Sequence, residues 1–138
     1  MSDDFHPSPE AAFARGRLLQ SQHRTQDAIA CYKQALELDA QHTPSFVMLA
    51  LCWMDDDETA PRSVDAAKRA VALEPENAFA RSVFALALNA NAKDGQTGAI
   101  KEALKQAEEA VGIDPDSDFS HAVLARLHLR LRDFPQAE

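Results

Sequence analysis

The sequence predicts an all-α chain, a solenoid in which helical hairpins stack one on the next. Three observations carry that prediction. Ala and Leu abound while glycine occurs only four times in 138 residues, a mix that favours helix throughout. The stretches QALELDAQ, RAVALEPE and EAVGIDPD share one pattern: Ala, an aliphatic, a variable residue, another aliphatic, an acid and a turn residue. Their anchoring alanines, Ala35, Ala70 and Ala110, are 35 and 40 apart, and a second set of small residues, Gly16, Ala50, Ala85 and Ala125, is spaced 34, 35 and 40. Two landmarks with matching periods mark a repeat architecture.

Each element follows from these landmarks. Residues 1–8 are expected to form a flexible leader. First helices are predicted over 9–22, 44–55, 78–92 and 118–131, each centred on one of the small residues. Second helices are predicted over 25–38, 61–73 and 98–112, each closing on the acid-and-turn motif. Thr59 or Ala60 before Pro61 marks a helix start, because proline is tolerated in a first turn whose N–H has no partner. The spacing of 40 in the third unit adds about six residues within NAKDGQTG, at 93–98. Gly95 and Gly98 are expected to hold a turn there, with the helix beginning near Thr97. Asp133 before Pro135 has the same character as Thr59 before Pro61, yet the chain stops at Glu138. That ending predicts a truncated piece of a longer repeat protein.

On these residues the chain resembles the tetratricopeptide repeat family, antiparallel helix pairs repeated about every 34 residues. The family's first-helix pattern is a large residue, then an aliphatic-small pair, then another large residue. Phe46, Leu49, Ala50 and Trp53 match it best. Arg81, Phe84, Ala85 and Leu88 match with a polar opening, as do His121, Leu124, Ala125 and His128. In the first unit Gly16 and Leu19 are in place, but Ala12 and Arg15 stand where bulkier apolar groups are usual. The second-helix pattern appears as Ala28, Tyr32, Ala35, then Ser63, Ala67, Ala70, then Ala103, Ala107, Ala110. Pro75 and Pro115 close their helices as the family does, with Ala40 in the first unit's proline place. The resemblance spans 9–138 and implies a right-handed superhelix, with repeats at 9–42, 43–77, 78–117 and a truncated 118–138.

Composition restricts function. A formal charge of −8 disfavours nucleic acid, whose phosphates are bound by clustered Lys and Arg. The charge is uneven: residues 55–76 hold seven acids against three bases, whereas 119–132 hold three arginines and no acid. Two cysteines, Cys31 and Cys52, point to a reducing compartment and free thiols rather than a disulfide framework. The polar, acidic start is no secretory signal, and no apolar run is long enough to span a bilayer. The expected location is the cytoplasm, with any membrane anchor lying beyond residue 138.

Constellations that suggest chemistry have simpler readings. The acids at 55–58 lack the alternate spacing and glycine of a calcium loop and read as a solvated turn. His121 and His128 lie seven apart without a third ligand, so no zinc site can be built, and both occupy packing places. His6, His23 and His42 fall in the leader and turns. Ser117, Asp118 and His121 are too close in sequence for a triad and read as helix-start residues. No catalytic, metal or cofactor-binding residue and no cofactor is predicted, and the chain is expected not to be an enzyme.

The family resemblance implies instead a concave groove, lined by the first helices, that accepts a peptide or helix. By position the lining would be Phe13, Arg17 and Gln20, then Val47, Leu51 and Met54. It would continue with Phe79, Ser82, Leu86 and Asn89, and end with Phe119, Ala122, Arg126, Leu129 and Arg130. Family members that grip the acidic C-termini of heat-shock chaperones place Lys and Asn on the first repeat's inner face. Phe13 and Arg17 stand there instead, which disfavours that role. The expected function is a non-catalytic protein–protein interaction scaffold. The alternative is an oligomerisation unit stacking through Leu124, Leu127, Leu131 and Phe134, since each apolar side chain left in water forfeits about 1.5–3 kcal/mol.

Overall fold

The computed structural model of the chain describes residues 7–93 and 95–133. Their elements are seven helices: α1 (Pro9–Ser21), α2 (Thr25–Leu38), α3 (Thr43–Trp53), α4 (Ala60–Leu73), α5 (Ala78–Asn91), α6 (Thr97–Ile113) and α7 (Asp118–Asp133). Each helix packs on the next in sequence, so α1–α2, α3–α4 and α5–α6 are hairpins and α7 is a first helix following them. Neighbouring first helices also touch, α3 against α5 and α5 against α7.

The acid of the repeated motif sits where the chain turns from one hairpin to the next. Asp39, Glu74 and Asp114 each close their helix by donating the backbone N–H to the carbonyls of Ala35, Ala70 and Ala110 at 2.9–3.0 Å. Their own carbonyls then accept from the N–H groups of His42, Asn77 and Ser117 at 3.0–3.2 Å. First helices start on side-chain caps at three places. Ser8 Oγ accepts from Ala11 N at 3.0 Å, Asn77 Oδ1 from Ala80 N at 3.0 Å, and Ser117 Oγ from Ser120 N at 3.1 Å. Such caps satisfy N–H groups that have no partner inside the helix. The turn between α1 and α2 is a Schellman motif. Arg24 N donates to Leu19 O and His23 N to Gln20 O, with His23 at φ 62°, a left-handed place usually given to glycine.

The insertion in the third unit divides between loop and helix. Gly95 takes φ +87° in the turn, and α6 begins at Thr97, three residues earlier relative to the motif than α4 does. Gly98 therefore lies in the first turn of α6 rather than holding the loop. Asp133 is the last residue of α7; residues 1–6, 94 and 134–138, with the expected leader and the expected helix start after Asp133, lie outside the described part.

Alanine dominates the core. Ala28, Ala35, Ala50, Ala67, Ala70, Ala80, Ala85, Ala87, Ala103, Ala107 and Ala110 are all fully buried, which brings the helices close. One cluster joins α2 to α5 through Tyr32, Leu49, Val83 and Phe84; a second joins α5, α6 and α7 through Ile100, Val123 and Leu127. Buried serines carry their own bonds: Ser63 Oγ donates to Ala60 O at 2.6 Å, and Ser82 and Ser120 share a 2.8 Å bond.

Candidate functional site

The first-helix face presents a row of aromatic rings. Phe13 on α1 packs on Tyr32 and His42, with ring centroids 5.7 and 5.4 Å away. His42 is buried rather than an idle turn residue, its Nδ1 2.7 Å from Ser45 Oγ. Phe79 on α5 and Phe119 on α7 stack at 5.0 Å, and Phe79 leaves 44% of its surface in water. A cavity of about 220 Å³ opens between these helices, lined by Phe13, Arg17, Pro44, Val47, Met48, Asn77 and Phe79. The Arg17 guanidinium lies 5.9 Å from the Phe13 ring centroid.

The cavity unites Phe13, Arg17, Val47 and Phe79 of the expected lining. Pro44, Met48 and Asn77 were missed. Pro44 and Met48 flank Val47 on its own helical stripe, so the period could have found them; Asn77 enters as the cap of α5. A second depression of about 600 Å³ on α7 gathers Ala122, Arg126, Leu129 and Arg130 with Ala125 and Asp133. Gln20 and Leu51 line a different hollow, toward α2 and the α3–α4 loop. Met54 is half-buried against the first core cluster, and Leu86 against the second.

Ser82, Asn89 and Arg130 of the expected groove are spent on bonds between α5 and α7. Ser82 is fully buried against Ser120, because α7 closes directly over it. Arg130 Nη1 donates to both Asn89 O and Asn89 Oδ1 at 2.6 Å, and Nη2 donates to Ala92 O at 2.7 Å. That guanidinium pins α7 to the C-terminal end of α5. His121 and His128 do not pack as expected; both are exposed, and His121 Nε2 donates to Pro115 O at 2.8 Å. With Ser117 capping α7, the local Ser, Asp and His hold a helix start.

The floor under this face is sealed from water. Tyr32 is fully buried and donates its hydroxyl to Gln20 Oε1 at 2.6 Å. Burial, and then the neighbouring Cys52, push its pKa from 10.0 up to about 12. Burial and then Asp55 push the Cys52 thiol from 9.0 up to about 11. Cys31 and Cys52 are both free thiols. A folded pKa above the unfolded one means that the folded state holds its proton longer. Stability from these groups is therefore intact below pH 9 and lost as pH rises through about 11 and then about 12. Urea midpoints should fall across that window, and in Tyr32→Phe the fall should end near pH 11, where Cys52 has finished titrating.

Among the described residues no three His, Cys, Asp or Glu side chains could hold a metal ion, and no helix is long and apolar enough to cross a membrane. Known proteins share this architecture. The sequence model of the tetratricopeptide repeat matches residues 9–42. No curated protein sequence matches the chain. Among solved structures, the first such domain of human RPAP3 is 18% identical with a TM-score of 0.79, covering 94% of this chain and 97% of that one. The Sgt2 domain from Aspergillus fumigatus is 17% identical with a TM-score of 0.78, covering 94% of this chain and 86% of that one. The first repeat domain of Spaghetti, solved with the HSP90 peptide SRMEEVD, is 18% identical with a TM-score of 0.76, covering 90% and 93%. Residues 9–42 thus match the tetratricopeptide-repeat model, and the seven described helices share the fold of tetratricopeptide-repeat domains, a solenoid of three hairpins and one further first helix.

Proposed function

We propose that the chain is a non-catalytic interaction scaffold that binds a peptide or helix of a partner protein along its first-helix face. The observation that carries this reading is the aromatic row Phe13, Phe79 and Phe119 beside an open cavity, with Phe79 44% exposed. A large aromatic held half in water on a rigid helix is the kind of group that anchors protein interfaces. Contact of α3 with α5 and of α5 with α7 favours a stack curved toward that face. Peptide complexes of fold neighbours, with SRMEEVD and with the HSP70 peptide SGPTIEEVD, support peptide binding as such.

Arg17 and Arg126 stand exposed toward the two ends of the row, and no described carboxylate pairs with either. A segment with an apolar centre and an acid at each end suits them. Phe13 and Arg17 in place of Lys and Asn argue against the chaperone-tail mode. Two free thiols fit a cytoplasmic setting. Self-assembly through α7 is less favoured: Leu127 is fully buried in the second cluster, and Leu124 and Leu131 pack partly against it. Phe134 lies outside the described residues.

Peptides selected on the wild-type chain from a random library test the groove. Phe79→Ala should weaken them at least tenfold while leaving the circular dichroism unchanged, a hot-spot loss of about 1.4 kcal/mol or more. Selected peptides that bind the variant equally well would remove the groove as the site. Glutamate at Leu51 and Leu86 is a poorer probe, because both are half-buried against the core.

A further inference from the structure

The opposite face carries a second groove with its own chemistry. It runs between α2 and α4 over the back of α3, with a volume of about 390 Å³, and Phe46 and Trp53 form its half-buried floor. Three exposed cations stand around these rings. Lys33 Nζ lies 5.8 Å from the Trp53 centroid, the Arg62 guanidinium 5.9 Å from the same ring, and Arg69 5.7 Å from Phe46. A cation over a ring face is held by the ring quadrupole, which fixes its place without neutralising its charge.

None of the three cations is ion-paired among the described residues, where the salt bridges are Arg24–Asp27, Arg81–Glu109 and a longer His42–Glu10 contact. The groove lining thus sets three positive charges against one carboxylate, Asp65, in a chain whose formal charge is −8. We propose that this outer groove is a second docking surface, for a short acidic and apolar segment of a partner protein. Its apolar side chains would lie on Phe46 and Trp53, and its carboxylates would meet Lys33, Arg62 and Arg69. Asp65 in the lining and the acid-rich stretch 55–76 repel a continuous phosphate backbone, whereas a peptide can space its carboxylates around them.

The chain's single tryptophan makes the groove its own reporter. Trp53 emission is titrated at low salt with a short synthetic peptide of glutamates around leucine and phenylalanine. A saturable blue shift is expected. The charge-neutralised variant Arg62→Gln with Arg69→Gln should weaken it roughly tenfold, since two exposed ion pairs together contribute about that factor. The inner-face variant Phe79→Ala should titrate like wild type, so failure of one face is separable from failure of the other. Absence of a saturable shift, an equal response to a lysine version of the peptide, or undiminished binding by the double variant would each overturn the proposal. So would a response to a thymidine oligonucleotide in place of the acidic peptide.

Discussion

Gly16→Val should destabilise the chain by about 3 kcal/mol, the upper end of overpacking costs. A Cβ at Gly16 would lie 2.6 Å from Tyr32 Cε1, 2.8 Å from Cδ1 and 3.0 Å from Cζ. The ring cannot yield cheaply, for it is fully buried, packed against Phe13 and tethered through its hydroxyl to Gln20. Gly16→Ala sets two effects against each other. Alanine favours the helix over glycine by about 1 kcal/mol, while the same Cβ contact costs about 1–3 kcal/mol, so a smaller net loss is expected. In a Tyr32→Leu background the contact is relieved and Gly16→Ala should turn stabilising. Urea unfolding of the four chains gives the coupling directly, and additivity would show that the two residues do not meet.

That pair shows what the sequence could and could not say. Gly16, Ala50 and Ala85 were legible as small places, because helices that approach closely need them at a fixed period. Their facing residues were not. By register tyrosine faces glycine in the first hairpin, whereas Ala67 and Ala107 face alanines in the next two, so the volume filled is shared differently in each. Helix ends were legible to within two residues because the motif acids Asp39, Glu74 and Asp114 close the turns by local backbone bonds.

Long-range polar partners left no local trace. Arg81 reads as a misfit in a packing place, yet its Nη1 donates to Gln106 Oε1 at 2.8 Å and Glu109 Oε1 at 3.1 Å, joining α5 to α6. Arg130 reads as a groove cation and instead holds α5. The helical stripe put Phe13, Arg17, Val47 and Phe79 on one face, and they line one cavity, but it could not know that α7 would cover Ser82. The outer groove was invisible because its cations come from two helices whose approach only the fold supplies.

Ile100→Ala should cost about 2–5 kcal/mol, and the loss should stay local. Ile100 is fully buried in the first turn of α6, within a cluster whose other large buried members are Val123 and Leu127. The remaining members, Ala85, Ala92, Ala103 and Ala107, have no side-chain length with which to fill the space left. In a stacked solenoid each unit is held mainly by its neighbours, so damage to one cluster need not spread. The first cluster, from α2 to α5, shares no buried residue with the second. Hydrogen exchange on the variant should therefore show protection lost in α6 and α7 and kept in α2 to α4. Equal loss in every helix would mean that the two clusters unfold as one. Local loss would mean that α7, which carries Phe119 and Arg126, can open while Phe13 and Arg17 stay in place, so a ligand spanning the inner face would tie the two halves together.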